Sequence, residues 1–161
     1  EQDLEVVRIT VAWDKEDDLL ETLGYVSGED AGADMERAYV VVAGGWGMAA
    51  LGGFKSLFDN ARILGAAVGG TRPAVDRGWI GPERMIGQSG RTVRPKLFMS
   101  FGASVAMHFA TGFLNSQTIF AVTNDPEAPI LKMCDVGIVG DLREVLPVLA
   151  EKLLEARKTS A

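Results

Sequence analysis

Apolar residues occur along this chain in short runs, and most of the runs stop at glycine or another small residue. The runs occupy residues 39–43, 64–68, 97–101, 118–122 and 136–139. Continuous apolar runs of four or five residues are typical of strands that are buried on both faces of a parallel sheet. We therefore predict five buried strands, with tight turns at their carboxyl ends.

Helical patterns lie between these runs. Residues 54–61 place apolar side chains at i, i+3, i+4 and i+7, which predicts one helix face. Residues 104–114 predict a helix with Ser104 as a possible N-cap. Residues 144–158 predict an amphipathic helix in which Pro147 is tolerable only within the first turn. Strands that alternate with helices indicate an α/β fold, here a doubly wound parallel sheet with helices on both faces.

The beginning of the chain has a different character. Residues 4–13 alternate between apolar and polar side chains, which predicts a half-buried strand. Residues 14–23 are acidic with helical spacing, and residues 27–34 read as a loop rich in glycine and aspartate.

Composition narrows the class of protein. The 161 residues match the size of one domain, and no apolar run approaches the ~18–20 residues that span a bilayer. The single cysteine excludes an intrachain disulfide, and one cysteine with one histidine supplies zinc or haem sites poorly. This cysteine content fits a reducing compartment.

Charge is unevenly distributed. The net charge is −6, yet residues 43–96 hold eight basic side chains against three acidic ones. A basic middle in an acidic protein suggests a local anionic ligand, although scattered solvated charges give the same count. A nucleic-acid-binding domain would be basic overall, which this chain is not.

Two glycine-containing loops are candidates for a binding site, because ligands of open α/β sheets bind outside the carboxyl ends of the strands. In residues 69–76, two glycines allow close approach of the backbone and Arg72 follows them; the alternative is a tight turn with Arg72 paired to Asp76. Residues 87–91 can offer backbone N–H groups to an anion or a heterocycle, or they form a surface turn.

Three further segments carry candidate polar groups. Residues 102–108 place glycine and serine where a strand meets a helix, beside any ligand phosphate, and His108 either contacts that ligand or is structural. Residues 124–130 hold two prolines and form a rigid loop. Asp141 either accepts a ribose or adenine hydrogen bond or caps the next helix. No GxGxxG pattern and no nucleophile–base pair is present, so neither hydrolysis nor phosphoryl transfer is indicated.

In this order, the segments VGGTRPAVDRGW, IGQSGRTVRPKLF, GAS, NDPEAPI and DVGIVGDL resemble the C-terminal, FAD-binding domain of the alpha subunit of electron transfer flavoproteins. RAYVVVAGGWG also fits that family. The resemblance implies a Rossmann-like, deoxyhypusine-synthase-like FAD/NAD-binding fold. We expect residues 1–161 to form this single domain, without the N-terminal domain of the family's alpha subunit.

The resemblance also implies roles for individual residues. Arg72 would lie over the isoalloxazine ring, Ser89 would offer flavin N5 the hydroxyl that is usually a threonine's, and Gln88 would touch the ring edge or ribityl chain. Residues 104–108 would hold the ribityl and pyrophosphate groups. The implied cofactor-binding set is Thr71, Arg72, Gly87, Gln88, Ser89, Ser104, Val105, Ala106, Met107, His108, Thr123, Asp141 and Leu142.

Three positions depart from the family's pattern. The family usually has arginine where this chain has Trp46, asparagine where it has Thr123, and histidine where it has Phe109. His108 is one residue out of register with that histidine.

The function implied is electron transfer by one bound FAD, as a carrier and not as a catalyst of its own substrate reaction. Expected partners are an electron transfer flavoprotein beta subunit, flavin dehydrogenases of the acyl-CoA dehydrogenase type and a quinone-reducing or other acceptor, with no nucleic acid and no membrane insertion. The expected location is a prokaryotic cytoplasm or the mitochondrial matrix. The alternative is a flavin-depleted paralogue that serves assembly or binds another nucleotide.

Overall fold

The computed structural model describes Thr10 and residues 33–159. The strand predicted for residues 4–13 lies outside the described residues, except for Thr10. The acidic helix predicted for residues 14–23 and nearly all of the loop at 27–34 lie outside them as well.

Five parallel strands form the centre of the described part of the chain. In spatial order they run β2-β1-β3-β4-β5. Their bounds are β1 Val40–Gly44, β2 Ala67–Gly70, β3 Leu97–Phe101, β4 Thr118–Thr123 and β5 Val136–Val139. Each of the five apolar runs therefore supplies a strand, and the predicted fold class is confirmed.

Helices connect the strands and cover both faces of the sheet. They are α1 Ala33–Arg37, α2 Lys55–Leu64, α3 Arg72–Asp76, α4 Met107–Ala110 and α5 Leu142–Thr159, with 3-10 turns at Trp46–Leu51, Pro82–Arg84 and Pro129–Lys132. Consecutive strand residues point to opposite faces. Val41 accordingly packs in one hydrophobic cluster and Val42 in a second, separate one. Two cores on opposite sides of one sheet are what a doubly wound fold requires.

An aromatic cluster anchors the segment after β3. Phe98 and Phe113 stack with ring centroids 4.2 Å apart, and Phe109 packs against Phe113 at 5.0 Å. All three side chains are buried. The short helix α4 is therefore held on the sheet by its own Phe109, and that ring belongs to the core.

Two strand predictions need correction. The second strand begins at Ala67 because α2 continues through Leu64 and ends at Gly65, whose left-handed backbone closes the helix. The last strand, β5, is exposed along its whole length and not buried. It lies at the edge of the described sheet, so only one of its sides is paired.

Two helix predictions also need correction. Residues 104–114 form only the four-residue α4, because Gly102 and Val105 adopt positive φ angles (62° and 64°) that turn the chain first. Ser104 is exposed and lies outside the helix, whose N-cap position is Ala106. In α5, which begins at Leu142, Pro147 lies beyond the first turn and leaves the Arg143 carbonyl without its usual helical donor.

The loops after β1 and β3 touch each other backbone to backbone. The N–H of Gly45 donates to the Phe101 carbonyl (2.9 Å), and the N–H of Gly47 donates to the Gly102 carbonyl (2.8 Å). A Cβ on Gly45 would lie 2.6 Å from Ala103 Cα, and one on Gly47 would lie 2.7 Å from Gly102 Cα. Glycine is required here because no side chain fits between the loops.

We expect Gly102→Ala to destabilise the protein more than Gly65→Ala does. Both glycines have φ near 60° (62° and 63°), so each substitution places a Cβ in the left-handed region at a cost of about 1–2 kcal/mol. Only at Gly102 would that Cβ also lie 2.8 Å from Gly47 Cα and from Leu142 Cδ1, whereas nothing lies within 4 Å at Gly65. Overpacking of this kind adds about 1–3 kcal/mol.

Urea unfolding of both variants and the parent measures the difference. Equal losses in the free energy of unfolding would show that the two loops can separate at little cost.

Candidate functional site

A cavity of about 570 Å³ lies at the carboxyl ends of the strands. Strands β1 and β3 are neighbours, yet β1 leads to β2 on one side and β3 leads to β4 on the other. Such a switch point is where open α/β sheets bind ligands, since the connections from the two strands continue to opposite sides and leave a crevice above the strand ends. The volume is in the usual range for a cofactor or small-molecule site.

Ten of the thirteen predicted site residues line this cavity: Thr71, Arg72, Gly87, Gln88, Ser89, Ser104, Val105, Ala106, His108 and Thr123. The side chain of Met107 is 71% exposed and does not line it. Asp141 and Leu142 line a separate cavity of about 110 Å³ that shares Gly47, Gly102 and Asn124 with the larger one. Segments far apart in sequence therefore meet in two adjoining spaces.

Several lining residues were not in the predicted set. They are Trp46, Gly47, Pro73, Met85, Ile86, Gly102, Ala103, Phe109, Asn124 and Asp125. The sequence held a signal for Trp46 and Gly47, because the predicted strand at residues 39–43 is followed by glycines at its carboxyl end, as the predicted strands before other candidate loops are. Placing that end against the loop after β3 required the strand order, which the sequence alone did not supply.

Thr71 presents a buried hydroxyl at the cavity. The residue follows β2, and its N–H donates to the Gly44 carbonyl at 3.0 Å. Its Oγ1 has no hydrogen-bond partner among the described residues, although Thr71 is the N-cap residue of α3. An unpaired buried polar atom costs about 1–3 kcal/mol, so this hydroxyl is available to a ligand group.

Arg72 is held by a neighbouring carboxylate. Its Nε lies 2.7 Å from Asp76 Oδ1, one turn further along α3. The hydrogen bond to Asp76 and the charge of that carboxylate raise the pKa of Arg72 above its already high ordinary value, so the side chain stays cationic. The alternative that pairs Arg72 with Asp76 is the one that the structure shows.

The loop at residues 87–91 is hydrogen-bonded to α4. The N–H of Gln88 donates to the His108 carbonyl (2.7 Å), and Gln88 Oε1 lies 2.5 Å from His108 Nδ1. Because an amide oxygen only accepts, His108 Nδ1 carries the proton in this contact. The amide group of Gln88 keeps its N–H donors for other partners.

Arg91 links the same loop to two other segments. Its Nη1 contacts Glu36 of α1 at 2.8 Å, and its Nε donates to the Glu83 carbonyl at 2.7 Å. Gly87 itself has a φ of 129°, which a side chain would rarely adopt. The position of Gln88 and Ser89 at the cavity therefore depends on contacts from two other segments.

Asp141 acts as the N-cap of α5. Its Oδ1 accepts a hydrogen bond from the backbone N–H of Arg143 (2.8 Å), and the Arg143 guanidinium binds both carboxylate oxygens. The side-chain hydrogen bonds from Arg143, followed by the backbone hydrogen bond, lower the pKa of Asp141 to about 2. Of the two roles predicted for Asp141, the structure shows the helix cap.

Other classes of site find little support in the described residues. Across residues 33–159, no cluster of histidine, cysteine, aspartate or glutamate could hold a metal ion. The same part of the chain contains no helix that is both long enough and apolar enough to cross a membrane.

A family model described as the electron transfer flavoprotein FAD-binding domain matches residues 34–114. These residues include the glycine-rich loop after β1, both loops that carry Arg72 and Ser89, and the segment after β3. Most of the lining of the larger cavity therefore lies inside the matched region.

Curated relatives extend the similarity. An electron transfer flavoprotein subunit alpha of Thermoanaerobacterium thermosaccharolyticum is 45% identical over 74% of this chain and 36% of its own length. A mitochondrial subunit alpha of Arabidopsis thaliana is 44% identical over 77% of this chain and 34% of its length. One from Syntrophomonas wolfei is 38% identical over 92% of this chain and 47% of its length. The chain spans about a third to a half of these relatives.

The cap at Asp141 makes stability depend on pH. Because the pKa of Asp141 is lowered in the folded state, its ionised form contributes stability above the unfolded pKa of about 3.9. That contribution is lost as the pH falls from about 4 to about 2. Asp141→Asn keeps a good N-cap but removes the charge, whereas Asp141→Ala removes both.

We expect both variants to be less stable than the parent at pH 7, and Asp141→Ala to be less stable than Asp141→Asn. Urea midpoints measured between pH 7 and pH 2.5 should show the gap between parent and Asp141→Asn narrowing only below about pH 4. A gap that is independent of pH would contradict the assigned ion pair.

Proposed function

This chain belongs to the family of the electron transfer flavoprotein alpha subunit, and on that premise we propose that it binds one FAD in the switch-point cavity and carries electrons. The observation that carries the proposal is the coincidence of two findings. The segments matched by the family model supply most of the lining of the cavity at the carboxyl ends of β1 and β3.

The residues present fit a dinucleotide cofactor. The larger cavity is mostly walled by apolar groups and backbone, which suits a flavin ring, and the unpaired hydroxyl of Thr71 offers one polar contact within it. The adjoining cavity around Asn124 and Leu142 shares Gly47 and Gly102 with the larger one as lining residues. Two adjoining spaces of unequal size suit the two ring systems of such a ligand, the larger space taking the larger ring.

We assign the larger cavity to the isoalloxazine and ribityl groups. Arg72 supplies a fixed positive charge there, and Gln88 and Ser89 supply an amide and a hydroxyl. Residues 104–106 supply further backbone and side-chain polar groups, and His108 lies next to Gln88 at the same cavity. Met107 is left out of this set because its side chain faces solvent.

We assign the smaller cavity to the AMP end. Leu142 lies at its wall, together with Asp141, whose carboxylate is already bound by Arg143. The contribution of Asp141 at this end is therefore to fix the first turn of α5 and the backbone that borders the cavity. Thr123, at the end of β4, lines the larger cavity, and its neighbour Asn124 lines both.

Bound FAD supplies the redox chemistry, while the protein positions and tunes it. The tuning expected from this chain is electrostatic. Arg72 is cationic at any physiological pH, so it favours negative charge on a ligand in the larger cavity. The Arg72 side chain itself is exposed, so water screens part of this effect.

We propose that the partners are those of the family's alpha subunits. The relatives are named as subunits, so a second, beta subunit is the expected companion of this chain. Electrons would come from flavin dehydrogenases and pass to a quinone-reducing or other acceptor. A bacterial cytoplasm or the mitochondrial matrix is the proposed location, since the relatives include bacterial proteins and one named mitochondrial.

Reconstitution with FAD tests the cofactor assignment. The purified chain, mixed with FAD and freed of excess by gel filtration, should retain a yellow flavin spectrum, and the released cofactor should have the mass of FAD. Retention of a different nucleotide, or of none, would support a flavin-depleted paralogue instead.

Arg72 and Asp76 should affect FAD affinity in opposite directions. Arg72→Ala removes a charge-assisted contact worth about 1.5–3 kcal/mol, which raises the Kd about 10- to 100-fold. Asp76→Asn removes the carboxylate that holds Arg72 in an exposed pair, and such pairs are worth about 0.2–1 kcal/mol. The released guanidinium should bind FAD about 1.5- to 5-fold more tightly.

Titration calorimetry measures both effects. Asp59→Asn is the matched control, because Lys55 and Asp59 form the same kind of exposed i, i+4 pair on α2, away from the cavity. If Asp76→Asn weakens binding as much as Arg72→Ala does, the pair acts as one structural unit and the assignment of Arg72 to the cofactor is wrong.

A further inference from the structure

Trp46 is the side chain that the loop after β1 places at the cavity. Residues 44–47 are Gly-Gly-Trp-Gly, so Trp46 is the one residue of these four that has a side chain. Gly45 and Gly47 are packed on the loop after β3 and are hydrogen-bonded to it through their backbone N–H groups. The backbone on both sides of Trp46 is therefore fixed, and the indole lines the cavity between them.

The indole is held from outside the cavity. The Arg77 guanidinium carbon lies 4.2 Å from the centroid of the Trp46 ring, a cation–π contact. Trp79 lies behind, with ring centroids 6.3 Å apart, and Trp79 in turn packs on buried Phe54 at 6.0 Å. Neither Arg77 nor Trp79 lines the cavity. Arg77 covers part of the ring, and these contacts orient it.

Much of the indole remains uncovered. Trp46 is 53% exposed, although large aromatic side chains usually bury most of their area. A rigidly held, half-exposed aromatic ring at the wall of a largely apolar cavity has one face available for a second planar ring. Offset stacking is the arrangement that such ring pairs prefer.

We propose that Trp46 is a ligand-stacking residue, which packs its free face on the planar heteroaromatic ring of the bound cofactor, and that Arg77 is its positioning residue. The inference rests on the proposed binding of FAD. Of the two rings in FAD, the isoalloxazine is the one assigned to Trp46, because Trp46 lines the same cavity as Arg72 and Ser89 and does not line the smaller one.

Affinity measurements with FAD and FMN test the assignment. FMN carries the isoalloxazine ring without adenine, so stacking on isoalloxazine predicts that Trp46→Ala raises the Kd for both ligands. The expected increase is about 5- to 100-fold, the range that stacking of a heterocyclic base on an aromatic side chain contributes. Trp46→Phe keeps a smaller ring and should fall between the parent and the alanine variant.

Tyr39→Ala is the matched control. Tyr39 is also an exposed aromatic residue (71%) with a cation–π partner, Lys96 at 5.0 Å, but it lies at the opposite end of β1 from the cavity. Its removal should leave both Kd values unchanged. Urea unfolding of the two alanine variants checks that neither has lost the fold.

The absorption spectrum gives an independent result. Indole is an electron-rich ring and oxidised isoalloxazine is electron-poor, so a stack of the two should add a broad charge-transfer absorption on the long-wavelength side of the flavin bands. Trp46→Phe should remove that absorption. Arg77→Ala should weaken it and raise the Kd about 2- to 5-fold, with partial recovery in Arg77→Lys, because a cation–π contact at an exposed site is weak.

The outcomes separate the two proposals. A parent that binds neither flavin overturns the proposed function and this inference together. A parent that binds FAD only as tightly as Trp46→Ala does overturns the stacking role alone. Weaker binding of FAD with unchanged binding of FMN would place adenine against Trp46 and overturn the isoalloxazine assignment.

Discussion

The contact between the loops after β1 and β3 is the constraint on which the rest of the site depends. Two backbone hydrogen bonds join them, from Gly45 to Phe101 and from Gly47 to Gly102, with no side chain in between. Because neighbouring strands here send their connections in opposite directions, this contact forms the floor of the crevice. Each segment that lines the cavity is placed relative to that floor.

Most polar side chains at the cavity are already engaged by the protein. Arg72 is bound to Asp76 and Gln88 to His108 at the larger cavity, and Asp141 is bound to Arg143 at the smaller one. A ligand that takes one of these groups exchanges an existing hydrogen bond for another, and the net gain from each exchange is small. Affinity must then come largely from burying the ring in the apolar space and from Thr71, whose hydroxyl has no competing partner among the described residues.

The sequence was sufficient to predict the strands, because apolar runs of four or five residues that stop at glycine are too short for buried helices and too apolar for surface loops. Of the thirteen residues that the family resemblance implied, ten line one cavity, and most of these lie at or after the carboxyl ends of parallel strands, which share an edge. The sequence-based prediction was wrong where the tertiary position of a segment decides its burial or its conformation. The same apolar pattern describes a central strand and the exposed edge strand β5, and helical propensity after Gly102 could not reveal the positive φ of Val105. Trp46 became part of the site only through the order of the strands.

The positions of the turn after β1 differ greatly in how well they tolerate substitution. At Gly45 and Gly47, any replacement collides with the facing backbone, so mutation is removed by the requirement to fold. At Trp46, between them, the half-exposed side chain lines the cavity and contacts Arg77 and Trp79, so a replacement there changes the cavity wall and leaves the contact between the two loops in place. The cavity wall can therefore vary at this single codon, whereas the codons on either side of it are constrained by the requirement to fold.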